Sequence, residues 1–513
     1  MLGPTPDGGG IEVPDADATP PGGDPAKTAI ILGERTLTFS ELARRAARVH
    51  GVLASMGLGP GDRVAAMLPN GVEVFELGIG AANAGCAVVP VNWHLKRDEL
   101  SWVVRDSEAA LLVAHADFAE TARSCIAELE GCRLLLVGDD GPDGYDAVLA
   151  GAEPAPEAWT PPNYFYFTSG TTGRPRAVER ETSTSQNGML AGLAAMWGIG
   201  SDDVYLACSP LYHAANGYAY TTLFQGGTVV VLPRWDAREW LRAVERHRIT
   251  ACFMVPAFFI RLLEIPAEEL GACDLSSLRL ILHAAAPCPI PVKRRILDLL
   301  PHVDIWEFYG ATEGGATRIS SADWRTHPGS VGTPWPGVEI VVVDDAGEPV
   351  GRDVSGRVFI RPPGGQRFEY HNDPDKTHGA WLGDAFTVGD VGHLDADGYL
   401  YITDRASDMV LRGGVNVYPA EIEAALQHHP DVVDCAVFGV PDDRLGEELQ
   451  ALVEVRRPVS ADALREHCRQ HLADFKVPRY VDIVDALPRD PVGKVLKRRL
   501  RDERWAGHRT AVV

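Results

Sequence analysis

A run of small polar residues directly after an aromatic stretch is the strongest chemical signal in the sequence. Residues 164–167 read YFYF, and the loop that follows consists of Thr168, Ser169, Gly170, Thr171, Thr172 and Gly173. Glycines leave backbone N–H groups open to an anion, and hydroxyl groups add hydrogen-bond donors. Arg174 and Arg176 add positive charge, which favours a phosphate-binding loop over a flexible polar turn. The loop matches neither GxxxxGK[ST] nor GxGxxG.

The composition restricts the class of protein. The chain has 513 residues, and 48 Lys and Arg stand against 71 Asp and Glu, a formal net charge of −23. Such an acidic balance argues against nucleic-acid or anionic-membrane binding, because both favour a basic surface. No apolar run reaches the roughly 18 residues of a membrane-spanning helix, and the opening MLGPTPDGGG lacks the pattern of a secretory signal. Nine scattered cysteines without a CxxC pair argue against a disulfide scaffold or a zinc ribbon and predict a cytoplasmic protein.

Short apolar runs alternate with amphipathic segments, which is typical of an α/β protein. Thr38 and Glu41 form a T-x-x-E capping box. The helix behind it has its apolar residues at 42, 46, 49 and 53, with Gly57 at its end. Apolar runs predict strands at 28–32, 63–67, 111–113, 134–137, 228–232 and 280–282, and a further helix is expected at 237–247.

The pattern changes after about residue 400. Helices predicted at 420–428 and 460–473 accompany apolar runs at 432–438 and 451–455, which favours a small α+β unit. We therefore expect a disordered extension at 1–26, a large domain at 27–405 and a small domain at 406–513. The expected fold class is α/β, with mixed and parallel sheets flanked by helices in the large domain.

Further motifs follow the phosphate loop in a fixed order. They are PLYHAANG (210–217), HAAAP (283–287), YGATEG (309–314), VGD (388–390), DR (404–405), GGVNVYPAEIE (413–423) and PRDPVGK (488–494). With them the chain resembles the AMP-forming acyl-CoA synthetases, in the superfamily that also holds peptide-synthetase adenylation domains and luciferases. The resemblance covers roughly residues 28–500. It implies ATP, Mg²⁺ and coenzyme A as cofactors, a small-molecule carboxylic acid as substrate and a mobile C-terminal lid.

The resemblance also implies a nucleotide site. Tyr309 would stack on adenine, with Ala284, Ala285 and Ala286 on the opposite wall and Glu307 accepting from the amino group. Asp390 would accept from both ribose hydroxyls, with Arg405 beside the ribose or the phosphates.

The phosphates and the metal ion would lie at the glycine-rich loop. That loop would hold the β and γ phosphates, with Arg176 where the family usually has lysine. Thr312 would touch the α-phosphate. Glu313, together with Thr168, would hold Mg²⁺, because a hard cation prefers oxygen ligands.

The remaining roles follow from the same resemblance. Lys494 would bridge the carboxylate and the α-phosphate, a specific role that competes with membership of the basic tail that follows it. The seven lysines of the chain stand against 41 arginines, which supports the specific role. His213 would position the acyl group, and Gly413 and Gly414 would line the pantetheine tunnel.

Two further positions concern the lid. Ser407 would lie at the hinge of the lid. Arg412, where relatives carry a small residue, would contact a CoA phosphate or a nearby carboxylate. Asp404 and Asp408 would set local structure.

The acid is less defined than the reaction. The segment 211–217 has no carboxylate to hold an α-ammonium group, which disfavours amino acids, and small residues such as Ala214 and Ala215 predict a medium-chain, long-chain or bulky hydrophobic acid. An acyl-AMP ligase that loads a carrier protein and an aryl-acid CoA ligase remain alternatives. A luciferase-type oxidase and a non-enzymatic binding protein are disfavoured, the latter because Glu313, Asp390, Arg405 and Lys494 are all present. The sequence does not fix the oligomeric state.

Overall fold

The computed structural model describes residues 24–168, 175–180, 186–213, 216–405, 408–413, 415–442, 444–490 and 493–506. Its strands are β1 (Thr28–Leu32), β2 (Arg35–Thr38), β3 (Arg63–Met67), β4 (Ala87–Pro90), β5 (Leu111–His115), β6 (Arg133–Val137), β7 (Phe167–Thr168), β8 (Arg176–Arg180), β9 (Val204–Ala207), β10 (Thr228–Val231), β11 (Ala251–Met254), β12 (Leu280–His283), β13 (Asp304–Ala311), β14 (Gly314–Ile319), β15 (Thr333–Pro334), β16 (Glu339–Val343), β17 (Gly356–Arg361), β18 (Phe368–Tyr370), β19 (Trp381–Leu382), β20 (Ala385–Phe386), β21 (Asp390–Leu394), β22 (Leu400–Arg405), β23 (Val410–Arg412), β24 (Val415–Val417), β25 (Val432–Asp442), β26 (Gly446–Val455) and β27 (Tyr480–Val484). Its α-helices are α1 (Phe39–Ser55), α2 (Val72–Asn83), α3 (Arg97–Asp106), α4 (Ala119–Ile126), α5 (Tyr145–Gly151), α6 (Gln186–Trp197), α7 (Asn216–Phe224), α8 (Ala237–His247), α9 (Pro256–Leu263), α10 (Ala267–Ala272), α11 (Ile290–Leu299), α12 (Ser321–Thr326), α13 (Pro374–Ala380), α14 (Pro419–Gln427), α15 (Ala461–His471) and α16 (Lys497–Trp505).

The first helix forms as its sequence predicts. The Thr38 hydroxyl accepts from the Glu41 backbone N–H at 3.2 Å, and the Glu41 carboxylate accepts from the Thr38 N–H at 2.8 Å. This capping box satisfies two backbone donors at the start of α1. The predicted apolar face is buried, and Gly57 follows the C-cap residue Met56 in a left-handed conformation, with φ of 78°.

The described residues fall into two compact units. The first comprises residues 24–164, 186–202 and 220–231, and the second comprises residues 165–180, 203–219 and 232–506. The first unit contains a parallel sheet in the order β4-β3-β5-β6 and the strands β10-β1-β2. The apolar side chains of β3 and β5 pack between this sheet and the buried faces of α1 and α2.

The second unit contains every described residue that the sequence predicts for the site. Strands β9, β11, β12 and β13 are parallel neighbours, and β13 continues through an antiparallel hairpin into β14 and then β15. A second sheet runs β19-β20-β17-β21-β22 with β16 on β17, and a three-stranded sheet runs β18-β8-β7. The carboxyl ends of the parallel strands therefore lie at the same edge of the sheet as the turn of the β13–β14 hairpin. Ligands of α/β proteins commonly bind at this edge.

The C-terminal part of the second unit is the predicted α+β structure. Its sheet runs β24-β23-β26-β25 with β27 on β26, and α14 and α15 pack on this sheet. The helices predicted at 420–428 and 460–473 are α14 and α15. The α/β fold with a smaller C-terminal domain is thus confirmed, whereas a boundary at 405/406 and motion of the C-terminal part stay predictions.

Two expectations concern the chain ends and the membrane. Most of the predicted disordered extension, residues 1–23, lies outside the described residues. Within the part of the chain that the structure describes, the helices are too short or too polar to cross a membrane.

Candidate active site

The tip of the β13–β14 hairpin carries two of the predicted catalytic residues. Ala311 pairs with Gly314, so Thr312 and Glu313 form the two-residue turn between the strands. A Cβ on Gly310 would lie 2.9 Å from the Gly314 carbonyl oxygen, so the hairpin needs glycine at this position. The tight turn holds both side chains at the end of the sheet.

The predicted adenine and ribose residues are in direct contact. The Tyr309 hydroxyl donates to Oδ2 of Asp390 at 2.5 Å. Asp390 is buried, and it pairs in register with Arg405 across the β21–β22 hairpin. The structure therefore brings Tyr309, Asp390 and the backbone of Arg405 together; the Arg405 side chain lies outside the described atoms.

The predicted metal ligand has a tyrosine partner that the sequence did not indicate. Oε1 of Glu313 accepts from the Tyr370 hydroxyl at 2.6 Å. Burial, followed by the charge of Glu313, raises the pKa of Tyr370, so the phenol keeps its proton and remains a donor. The Lys376 ammonium lies 3.8 Å from the centroid of the Tyr370 ring. Burial lowers the pKa of Lys376, while Glu313 and Asp373 act in the opposite direction.

The arginine that follows the phosphate loop is held by a carboxylate. Nε of Arg176 lies 2.9 Å from Oδ2 of Asp373, which also caps α13 by accepting from the Lys376 N–H. The guanidinium lowers the pKa of Asp373, with the Lys376 backbone bond as the next cause. Thr168 donates to the Arg176 carbonyl oxygen at 3.3 Å. These contacts bring Thr168 and Arg176 to the same side of the unit as Glu313.

The loop that carries Lys494 lies against the strand end of β11. Asp490 accepts from the backbone N–H of Lys494 at 2.8 Å and closes the turn. Gly493 has φ of 83°, and a Cβ added there would lie 2.6 Å from the Ala257 Cβ. The structure therefore brings the predicted adenylation lysine to the carboxyl end of the parallel strands.

His213 lies in the loop after β9, beside Tyr212. Its ring centroid is 4.5 Å from that of Tyr212. Burial lowers the pKa of His213 to about 4, so the imidazole is neutral at pH 7. Burial and then the charge of Asp490 raise the pKa of Tyr212. A neutral imidazole fits the predicted positioning role.

The predicted adenine wall follows β12. Ala284, Ala285 and Ala286 keep exposed surface, and Ala285 has φ of 75°, a left-handed conformation that costs a residue with a Cβ about 1–3 kcal/mol. Behind this wall, Oε2 of Glu307 accepts from the Lys293 ammonium at 2.7 Å. Sequence reasoning missed this pair, although the scarcity of lysine marks Lys293 and Lys376 as unusual choices.

Arg412 contacts a carboxylate, one of the two partners expected for it. Its guanidinium forms two hydrogen bonds with Glu448, at 2.5 and 2.8 Å, and a third with the Phe475 carbonyl oxygen. The expected contact with a CoA phosphate stays a prediction. Gly413 has φ of 58°, and its backbone N–H donates to the Leu445 carbonyl oxygen.

The residues around the predicted hinge have structural partners. Asp404 accepts from the Ala420 N–H at 2.9 Å and so caps α14, as expected. The basic tail is not simply solvated, because the partly buried Lys497 ammonium pairs with Glu423 at 2.7 Å.

Several predicted site residues lie outside the described residues. They are Ser169, Gly170, Thr171, Thr172, Gly173, Ala214, Ala215, Ser407 and Gly414. Their predicted roles in phosphate binding, the acyl pocket, the hinge and the thiol tunnel stay predictions.

Comparison with known proteins gives the family. Residues 19–367 match the model of the AMP-binding enzymes, and residues 421–494 match that of the AMP-binding enzyme C-terminal domain. The chain is 33% identical to the fatty acid–[acyl-carrier-protein] ligase ScoC of Streptomyces coeruleorubidus, with 94% of each chain covered. It is 34% identical to the feruloyl-CoA synthase of an Amycolatopsis species, covering 93% of this chain and 96% of the relative. The ATP-bound structure of MatB from Rhodopseudomonas palustris aligns with a TM-score of 0.83 at 32% identity, covering 94% and 96%. The chain therefore belongs to the AMP-binding enzyme family, among the AMP-forming acyl-CoA synthetases.

Proposed function

We propose that this enzyme activates a hydrophobic carboxylic acid, of medium or long chain or bearing a bulky ring system, and transfers it to the thiol of coenzyme A. The observation that carries the proposal is the Gly493–Lys494 turn, which lies against Ala257 in the unit that also holds His213, Tyr309, Asp390 and Glu313. A cation at this point can meet a carboxylate and a phosphate together.

In the first step a carboxylate oxygen attacks the α-phosphorus of ATP, and the bond to the bridging oxygen of pyrophosphate breaks. Asp390 and Tyr309 hold the nucleoside, and Thr312 and Lys494 stabilise the negative charge that develops at the α-phosphate. His213 stays neutral and fixes the position of the acyl group. The products are the acyl adenylate and pyrophosphate.

The metal requirement fits a single protein carboxylate. The described residues hold no cluster of three or more His, Cys, Asp or Glu side chains that could bind an ion. Glu313 offers one oxygen beyond the one that Tyr370 occupies, and Mg²⁺ is commonly held by one or two carboxylates together with phosphate oxygens. Bound there with ATP, Mg²⁺ would offset charge on the phosphates.

An aromatic row supports a hydrophobic acid. Tyr218 stacks on Phe253 at 5.8 Å, Phe253 contacts Phe308 at 5.9 Å, and Phe308 contacts Trp335 at 6.4 Å. Tyr218 lies on α7, the helix that follows the His213 loop, so we assign this row to the wall of the acyl pocket. Such a wall favours an apolar chain or ring over acetate.

The second step attaches the acyl group to a thiol. The CoA thiolate attacks the acyl carbonyl carbon, and AMP leaves. For this step the C-terminal domain rotates so that the Gly413 loop replaces the Lys494 loop. A carrier-protein thiol is the alternative acceptor, because ScoC is named as a ligase of that kind, and an aryl acid is the alternative substrate, because feruloyl-CoA synthase is a relative. The nine free cysteines support a cytoplasmic site of reaction.

The test is AMP release by the purified protein with Mg·ATP and a panel of short, medium-chain and long-chain fatty acids, aryl acids and polycyclic acids, each with and without CoA. We expect AMP formation that depends on both the acid and CoA, with the matching acyl-CoA mass. Acyl-AMP that accumulates regardless of CoA would instead favour a carrier-protein ligase, and absence of adenylate with every acid would contradict the proposal.

A further inference from the structure

Three ionisable side chains are enclosed behind the adenine wall. His283 ends β12, Glu307 lies opposite it in register on β13, and Lys293 is in the first turns of α11. The Lys293 ammonium lies 2.7 Å from Oε2 of Glu307 and 2.5 Å from Nε2 of His283. The side chains of Lys293 and His283 have no exposed area, whereas that of Glu307 keeps 7%.

The charges in this cluster can be assigned. A buried ammonium needs an opposite charge, because its removal from water is costly, and Glu307 supplies that charge. Burial and then the charge of Lys293 hold the pKa of His283 well below its usual value. The neutral imidazole therefore accepts at Nε2 and carries its proton at Nδ1, which has no hydrogen-bond partner in the described structure.

The neighbouring groups leave Lys293 as the cation that faces Glu307. The Trp324 ring lies 5.4 Å from the ammonium, and the Phe259 ring meets His283 edge-on at 5.1 Å. The Cys288 thiol stays protonated, because burial and then the charge of Glu307 raise its pKa. Among these neighbours, Lys293 is thus the positively charged partner that holds Oε2 of Glu307.

Glu307 also lies on the face of β13 that carries Tyr309. Glu307 and Tyr309 are two residues apart on a regular part of β13, so their side chains emerge on the same face of the strand. Tyr309 reaches Asp390 from this face. The bond to Lys293 takes Oε2, and Oε1 is the oxygen that a base stacked on Tyr309 would meet.

We propose that Lys293 is a positioning residue for nucleobase selectivity: it keeps Glu307 an ionised, acceptor-only carboxylate aimed at the exocyclic amino group of adenine. The inference rests on the proposed function. An ionised carboxylate has no proton to donate. A 6-oxo purine would therefore place one acceptor against another, a mismatch that a polar site rejects strongly.

The experiment compares ATP with ITP, which differs at the 6-position of the base. For each nucleotide kcat and KM are measured in acid-dependent adenylate formation, and the Kd values of AMP and IMP are measured by calorimetry. The variants are Lys293→Met and the double variant Lys293→Met/Glu307→Gln. The double variant leaves no unpaired buried charge and is the form expected to fold if the single variant does not. Lys497→Met breaks another lysine–glutamate pair, which is partly buried in the C-terminal part, and is the control.

We expect the ratio of kcat/KM for ATP over ITP to fall at least tenfold in both Lys293 variants, mainly through KM, and the Kd values of AMP and IMP to converge. Lys293→Met removes the bond that fixes the orientation of the Glu307 carboxyl, and in the double variant the amide can donate to a 6-oxo group. Lys497→Met should keep the ratio of the unmodified enzyme. Unchanged ratios in the Lys293 variants, with an active unmodified enzyme, would overturn this proposal alone. An unmodified enzyme that forms no adenylate would overturn the proposed function.

Discussion

The Tyr309 hydroxyl donates to Oδ2 of Asp390 at 2.5 Å across 81 residues of sequence. The residue predicted to stack on adenine thus holds the residue predicted to bind ribose. If these two predicted roles hold, adenine and ribose recognition are coupled through one hydrogen bond.

Removing that hydrogen bond should weaken nucleotide binding while leaving the stacking surface. A hydrogen bond to a charged group contributes about 1.5–3 kcal/mol, so we expect Tyr309→Phe to raise KM for ATP by roughly tenfold or more, with kcat changed less. Steady-state kinetics at saturating acid and CoA measures this. Asp390→Asn should raise KM for ATP more than Tyr309→Phe does. The double variant should have the same KM for ATP as Asp390→Asn alone. A KM for ATP that does not change in Tyr309→Phe would refute the coupling.

The Tyr370 phenol orients the predicted metal ligand, and its loss should appear in the Mg²⁺ requirement. Removal of a residue that orients a ligand costs about 10–100-fold in metal affinity. We expect Tyr370→Phe to raise the Mg²⁺ concentration for half-maximal adenylate formation by roughly tenfold, and excess Mg²⁺ to restore the rate. Tyr480→Phe, at an exposed tyrosine of the C-terminal part, is the control. A rate loss that excess Mg²⁺ does not restore would argue against this role.

Gly493 should be needed for adenylate formation because of where it touches Ala257. Gly493→Ala combines left-handed strain of about 1 kcal/mol with a Cβ contact at 2.6 Å. Gly446 has φ of 78° and open space around it, so Gly446→Ala isolates the strain. We expect Gly493→Ala to slow adenylate formation more than tenfold, Gly446→Ala to change it little, and Ala257→Gly to restore part of the rate in Gly493→Ala. If Gly493→Ala and Gly446→Ala slow adenylate formation equally, the contact with Ala257 does not contribute to the rate.

The neutral His213 gives a pH dependence of stability with a defined sign. Its pKa is about 4 in the folded protein and about 6.5 when unfolded. As the pH falls from 6.5 toward 4 the unfolded chain binds a proton that the folded chain does not, so the free energy of unfolding decreases in this window. We expect His213→Gln to reduce the change of the free energy of unfolding with pH, measured from urea unfolding curves recorded between pH 4.5 and 7.5. A pH dependence equal to that of the unmodified protein would contradict the assignment.

Local signals in the sequence predicted the elements well. The capping box of α1, the apolar face behind it and the helix at 237–247 depend on neighbours within four residues, and each is confirmed. The motif order likewise identified Tyr309, Glu313, Asp390 and Lys494 as candidates. Their roles stay predictions, and the structure supports them by bringing them into one unit.

The partners of these residues could not be predicted. The Tyr370 bond to Glu313 spans 57 residues, and the Arg176 bond to Asp373 spans 197. Such pairs depend on how β18 and α13 pack on the unit, and no periodicity encodes that packing. The buried Lys293 had only its rarity as a signal, because charged residues on a helix are ordinarily solvated.

The proposed mechanism uses Lys494 only in the first of two reactions in the same pocket. Lys494→Ala should be measured in separate half-reactions: pyrophosphate release from ATP with the acid, and thioester formation from supplied acyl-AMP with CoA. We expect pyrophosphate release to fall at least a hundredfold, while thioester formation stays within about threefold of the unmodified enzyme, because loss of one charge-stabilising group typically costs about 10²–10³ in rate. An equal loss in both half-reactions would contradict it.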